Sequence, residues 1–494
     1  MSDVADTTEP HPGTGIGAAA GDVDTGDGLW SPGRRALTIG LVLNVTIVAS
    51  EALAVSTIMP IVRRDLGGFD LYGWVFSGFF LGNLLGVVVA GMLIDRGSLA
   101  RAFLLGIGLF SIGLLIGGLA PSMGVLVAAR VIQGFGAGAI PAVAYVSIGR
   151  ALPERLRPRM FATLSTAWVL PGVIGPVLAG VVADNLHWRL VFLGLLPLIA
   201  VASSFTLPAI RAVGPATPAA GDDEHDVAER ARRRLPVAVV LVIGAGLVLS
   251  GLSDLGPAPL VAIVGGVLIG LPAFRRLTPP GTLRAARGLP AAILLRGFLT
   301  LAFFCADAYV ALAIQDWRGQ PAIVSGIVYT AATLTWTGGA WVQAHRIDRV
   351  GPTRFLVAGF AIVVVGTLGF AAILVPSVPL VVAVVAWGIT GFGMGLSYST
   401  LSLVVLREAS PAEQGAATAG LQLSDVLGTS LGTGIGGALI ALGVRSGSPG
   451  WVGLAGAFSV AIGVAIAGLA ITRRLAGTGK GIVARPPEIP SATA

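Results

Sequence analysis

The stretch LVAARVIQGFGAG, residues 126–138, places one arginine, Arg130, inside an apolar run long enough to cross a bilayer. A guanidinium in hydrocarbon is costly, so such a residue turns to the protein interior and takes an acidic partner. Gly134, Gly136 and Gly138 follow on alternate positions. Residues without side chains let a neighbouring backbone come close, as packed membrane helices require. Glu51 is the only acid in the first hydrophobic stretch and is the expected partner of Arg130.

The rest of the chain is made of similar material. Of its 494 residues 54% are hydrophobic and 12% charged, and the mean hydropathy is +0.87. A soluble protein of this length is not so apolar, so the composition points to a polytopic membrane protein. The 71 glycines and 30 prolines suit membrane helices that pack closely and bend. The net charge of +7 comes almost entirely from arginine, with Lys480 the one lysine. These bases sit in short loops, where they act as topology signals and not as a nucleic-acid surface. Cys305 is the only cysteine, which excludes an internal disulfide and a thiolate metal site. Four scattered histidines offer no metal site either.

Residues 1–33 hold six acids and no arginine or lysine. They read as a disordered cytoplasmic tail and not as a cleavable signal peptide. Fourteen spans follow, each near the ~20 residues that cross a bilayer. Six lie within 34–210, at 36–61, 72–94, 102–120, 123–148, 160–183 and 189–210. A polar linker occupies 211–235. Two shorter spans, 236–253 and 257–274, come next, and either is short enough to be re-entrant. After a cytoplasmic loop at 275–288, the last six lie within 289–473, at 289–315, 322–344, 354–375, 378–405, 414–443 and 451–472. Residues 474–494 form the second cytoplasmic tail. In this topology cytoplasmic segments hold 25 of the 32 basic residues, external ones 5 and spans 2. That excess supports an even number of spans with both termini inside.

The chain repeats itself. Ile94, Asp95 and Arg96 after span 2 recur as Ile347, Asp348 and Arg349, and the glycines at 134, 136 and 138 recur at 391, 393 and 395. Two six-helix halves therefore flank the inserted pair, and duplicated halves are the usual build of secondary transporters. Arg130 corresponds to Trp387, so only the first half keeps this cation.

Four stretches resemble the major facilitator superfamily, in particular its fourteen-helix drug:proton antiporters. Glu51 is followed nine residues later by Pro60, where that family usually has aspartate and proline. Gly91, Asp95, Arg96 and Arg101 resemble the cytoplasmic gating motif, with its second glycine displaced by one, and Asp348 with Arg349 is a weaker second copy. Arg130, Gln133, Gly134 and Gly138 match the buried-arginine motif. Gly172, Gly175, Pro176 and Gly180 resemble the antiporter motif, with one upstream glycine missing. The resemblance implies an all-α polytopic protein of the major facilitator fold, with fourteen transmembrane helices. It also implies a monomer in contact with membrane lipid.

The ionisable residues of the spans carry the expected chemistry. Glu51 and Arg130 fall at nearly the same depth, roughly 20 Å from the inner end at 1.5 Å per residue. A carboxyl group in a medium of low dielectric favours its protonated form, and a nearby cation favours the ionised one. A contact that changes between access states would move protons; a static pair would only fix packing. Arg296 and Asp307 share a face of the span 289–315 some 16 Å apart. They cannot pair with each other, so each needs another partner or a watery cavity, or reaches towards a membrane surface. On the span 414–443, Gln414, Thr418, Gln422, Asp425 and Thr429 form one polar stripe that lipid will not face. Arg296, Gln422 and Asp425 are the candidate substrate contacts, and Glu51, Arg130, Asp307 and Asp425 the candidate proton-coupling groups. The motif at 172–180 reads as a flexible helix between halves or as close packing alone. Aromatics such as Phe80, Phe304, Trp336 and Tyr398 read as helix packing or as the lining of an apolar cavity.

No phosphate-binding loop or other enzymatic signature is present, so the proton motive force and not ATP is the expected energy source, with no cofactor. The leading expectation is a proton-coupled exporter of small, moderately apolar or cationic molecules such as drugs across a bacterial plasma membrane. Export of a lipid, siderophore or other metabolite on the same fold is the alternative. A scaffold or sensor that has lost transport is a third.

Overall fold

A computed structural model describes residues 28–95, 99–213, 224–252, 257–409 and 414–475. Expectations for residues 1–27, Arg96, residues 214–223 and the tail beyond Leu475 lie outside the described residues, as do the side chains of Asp95 and Gln414. The described residues form helices joined by short loops: α1 (Arg35–Leu66), α2 (Tyr72–Asp95), α3 (Leu99–Gly118), α4 (Met123–Ala151), α5 (Arg157–Thr166), α6 (Val169–Asn185), α7 (Arg189–Leu193), α8 (Leu195–Ala212), α9 (Glu224–Leu252), α10 (Pro257–Leu277), α11 (Leu289–Leu312), α12 (Ala322–Val350), α13 (Pro352–Ala371), α14 (Val381–Glu408), α15 (Gln414–Arg445) and α16 (Gly450–Ile471).

Among the described residues, twelve helices are long and apolar enough to cross a membrane. The expected fourteen differ from these at the spans 160–183 and 322–344. The latter is present as α12, whose 29 residues carry several threonines and the charges of Arg346, Asp348 and Arg349. The former is broken into α5 and α6. The break falls at Ala167 and Trp168, ahead of the glycines from which a bend was expected. Pro171 explains it: proline has no N–H to return to the carbonyl four residues back. The Ala167 carbonyl instead accepts from the Thr46 hydroxyl of α1 at 3.2 Å. The linker also differs from expectation, because α9 begins at Glu224 and not near residue 236. The alanines, arginines and glutamates there are strong helix formers and extend the membrane helix.

The repeated glycines set the packing. A methyl group on Gly134 or Gly138 would meet the α2 backbone at Phe79 and Asn83, and one on Gly136 the α3 backbone at Phe110. Gly391 and Gly395 repeat this against α12, and Gly393 against α13. So α4 and α14 are each wedged between two neighbours at backbone distance. Helices α1 to α8 form one packed group and α11 to α16 another. The inserted helix α9 packs against both α2 and α15, while α10 packs on α9. Its contacts join Leu84 and Val88 of α2 to Leu423 and Val426 of α15 in one apolar cluster.

The two groups meet on the side away from the chain termini. Arg63 pairs with Asp316 at 2.9 Å and Arg445 with Asp70 at 3.1 Å. The Gln315 amide donates to the Thr57 carbonyl at 2.7 Å, from a π-helical turn at Ala313–Trp317. Asp184 of α6 accepts from the first backbone amides of α12 at 3.3 Å, which places an acid at a helix N-terminus. At the other end, nearer Arg35 and Leu475, Trp168, Trp341, His345 and Gln422 are exposed. The two groups are thus joined by polar contacts at the far side.

Gly134→Leu is expected to cost about 1–3 kcal/mol through overpacking against α2. It should lower the thermal midpoint of the purified protein in detergent. Gly91→Ala, where a methyl group meets open space, should leave that midpoint unchanged.

Candidate functional site

Glu51 on α1 and Arg130 on α4 form an ion pair in the first group, 1% and 3% exposed. Arg130 Nη1 donates to Glu51 Oε1 and, at 2.7 Å, to Gln133 Oε1 one turn along α4. Its Nε donates to the Val75 carbonyl at 3.1 Å, and the guanidinium lies 4.2 Å above the Phe79 ring. These contacts fix the arginine from several directions. Glu51 Oε2 and Gln133 Nε2 have no hydrogen-bond partner among the described residues. The partner expected for Arg130 is therefore the one found, and the carboxylate keeps one oxygen in reserve.

The repeat continues into this site. Arg130 and Trp387 lie 257 residues apart, and Glu51 and Asp307 lie 256 apart. In the second group Trp387 Nε1 donates to Asp307 Oδ1 at 3.3 Å. An acid and an indole occupy the places of the acid and the arginine. Asp307 is 9% exposed and has a neutral donor in place of a cation. An offset one residue shorter than that between Arg130 and Trp387 links Glu51 to Asp307, a near correspondence legible in the sequence.

Arg296 finds its partner elsewhere, as the spacing required. Its Nε donates to Asp425 Oδ1 at 3.0 Å, and its Nη1 to the Tyr398 carbonyl at 2.7 Å and the Ser402 hydroxyl at 3.3 Å. Tyr398 Oη donates to Asp425 Oδ2 at 2.9 Å. Sequence reasoning named Arg296 and Asp425 separately and missed both their pairing and the role of Tyr398. Along the α15 stripe Thr418 and Gln422 are exposed, Asp425 is partly exposed and Thr429 is buried.

At the end nearer the termini Arg101 and Arg349 are exposed. Asp348 pairs with Arg407 at 3.1 Å, both side chains exposed, and Arg150 donates to the Ile94 carbonyl at 3.4 Å. Arg150 and Arg407 are again 257 residues apart. They are the basic members of this motif that sequence reasoning did not single out. In the antiporter motif Gly172 faces Thr333, and Pro176 and Gly180 lie against α12 at Gly326 and Ile323; Gly175 lies near Ser50 of α1. The motif sits where the two groups touch.

Paired charges enclosed between packed membrane helices point to a membrane transport protein and not an enzyme. The chain belongs to the Major Facilitator Superfamily, whose family model matches residues 39–433. It is 25% identical over 420 residues to a protein of Mycobacterium tuberculosis named a probable multidrug-efflux transporter, covering 82% of this chain and 87% of that one. It is 23% identical over 432 residues to the multidrug efflux pump SdrM of Staphylococcus aureus, covering 82% and 89%. Among solved structures the peptide-transporter-family protein PepTSo matches with a TM-score of 0.66 at 16% identity, covering 88% of this chain and 97% of that one.

Breaking one member of a buried ion pair strands the other and costs about 3–5 kcal/mol. Arg130→Met is accordingly expected to destabilise the protein strongly. The double variant Arg130→Met with Glu51→Gln should recover part of the loss, read as the thermal midpoint in detergent. Equal midpoints for the single and double variants would refute a compensated pair.

Proposed function

We propose that the protein is a proton-coupled antiporter that exports small, moderately apolar or cationic molecules, drugs among them, across a bacterial plasma membrane. The observation that carries this reading is the Glu51–Arg130 pair, a carboxylate and its cation enclosed between α1 and α4, with Asp307 at the equivalent place in the second group. The multidrug-efflux names of the relatives support the cargo and the direction. In this reading fourteen spans form two repeated six-helix halves and an inserted pair, both termini are cytoplasmic, and the protein works as a monomer. The side where the groups meet is then the outside.

The coupling follows from physical chemistry. A carboxyl group whose cation moves away in low dielectric gains affinity for a proton, and loses it when the cation returns. Alternation between access states would move Arg130 relative to Glu51 and so load and unload a proton. Asp307 and Asp425 are the further carboxyl groups, and Arg296, Gln422 and Asp425 the substrate contacts. Asp95, Arg96, Arg101, Asp348 and Arg349, joined by Arg150 and Arg407, latch the cytoplasmic ends in one access state. Each proton supplies about 2.3 kcal/mol per 100 mV and ~1.4 kcal/mol per pH unit, enough for a substantial gradient.

In inside-out membrane vesicles with a preformed ΔpH, lipophilic cations and neutral drugs are expected to collapse the gradient in the wild type. Glu51→Gln should abolish that response. Collapse that persists in Glu51→Gln but vanishes in Asp307→Asn would move the proton site to the second group. A wild type indifferent to every compound would sink the drug-export reading.

A further inference from the structure

The two arginine–carboxylate pairs are wired differently. In the first, the ring beneath the arginine is Phe79, which has no hydroxyl, and Glu51 Oε2 has no partner among the described residues. In the second, both carboxylate oxygens are engaged, Oδ1 by Arg296 and Oδ2 by Tyr398. Tyr398 also holds the arginine: its ring centroid lies 3.1 Å from the guanidinium carbon, and its carbonyl accepts from Nη1. One residue thus touches both members of the pair. The repeat supplies no counterpart, because Pro141 stands 257 residues before Tyr398 and Trp168 stands 257 before Asp425.

The same ring begins a path of aromatic contacts between the helix groups. It meets Trp336 edge-on at 5.5 Å. Ring contacts run on from Trp336 to Phe303 at 5.5 Å, Phe304 at 5.1 Å and Phe80 at 6.0 Å. Phe304 lies on α11 and Phe80 on α2, so the path crosses from one group to the other. Phe303 is buried, whereas Phe80, Phe304, Trp336 and Tyr398 are half-buried. Half-buried rings at an inner contact between groups present an apolar wall with polarisable faces, suited to a flat apolar ligand.

We propose that Tyr398 is a positioning residue that couples ligand occupancy of this aromatic wall to the charge state of Asp425. The inference rests on the reading of the protein as an exporter of apolar small molecules. With Asp425 ionised, its two oxygens accept from two donors and the tyrosine hydroxyl is held towards the pair. A proton on Oδ2 puts a donor where an acceptor stood. The tyrosine hydroxyl must then turn and accept, and the charge-assisted hydrogen bond that held the ring becomes a weaker neutral one, which loosens the ring towards Trp336. The ring position depends on the proton, and a ligand that prefers one ring position shifts the proton equilibrium by the same free energy, since coupling between sites is reciprocal. The charged and titratable groups that face Tyr398 are Arg296 from α11, Asp425 from α15 and Tyr145 from α4.

The test is a double-mutant cycle on ligand binding. The full-length protein, purified in detergent at one pH and without a gradient, is titrated with ethidium, a flat fluorescent probe. Asp425→Asn serves as the neutral state, and Tyr398→Phe keeps the ring but removes the hydroxyl. Asp425→Asn is expected to change the Kd in the wild-type background. That effect should shrink by about two- to 150-fold in the Tyr398→Phe background, the range for contacting residues. If Asp425→Asn does not fold, the neutral pair Arg296→Gln with Asp425→Asn takes its place in the cycle. Effects that multiply independently would overturn the role of Tyr398 and leave proton-coupled export standing. A wild type that binds no ethidium would overturn the aromatic wall as a ligand site, and this proposal with it, whatever the vesicle assay shows for Glu51.

Discussion

Everything in this structure answers to the cost of a charge in hydrocarbon. An arginine within an apolar helix is tolerated only when its donors and its charge are satisfied inside the protein. Arg130 meets that demand with Glu51, Gln133, the Val75 carbonyl and the face of Phe79. Arg296 meets it with Asp425, Ser402 and Tyr398. Each solution draws on more than one helix, so each charge also acts as a clamp.

Close packing makes such clamps possible. The glycines of α4 and α14 bring backbones into direct contact with α2, α3, α12 and α13. Without a hydrophobic driving force between helices in lipid, dispersion contacts at short range hold them together. The packing is duplicated more faithfully than the chemistry. Gly134, Gly136 and Gly138 recur at a fixed offset, whereas Arg130 becomes Trp387 and Glu51 becomes Asp307. The two groups share a scaffold and differ in where they keep their charges.

The inserted helices add a second asymmetry. Helix α9 lies against α2 and α15 together and bridges the two groups on one flank. On the opposite flank α6 meets α12 directly, from the Asp184 cap down to Gly172 and Thr333. Below that level the broken span 5 leaves α5 packed on α1, α4 and α6. One flank is thus covered along the membrane helices, and the other is joined in its far part.

The sequence by itself determined the membrane class, the duplicated glycine scaffold and the need of Arg130 for an acid, because burial cost and periodicity are local properties of the chain. It also named Glu51, since no other acid lies in the first apolar stretch. It could show that Arg296 and Asp307 were too far apart along one helix to pair. It could not say that Asp425, 129 residues away, neutralises Arg296, nor that Tyr398 binds both. Those contacts depend on which helix faces which, and three-dimensional packing decides that. The break in span 5 was partly legible, since Pro171 must leave a carbonyl unpaired, but only the fold supplied Thr46 to receive it. Which side of the bundle is closed was not legible at all, because it depends on which helix ends meet.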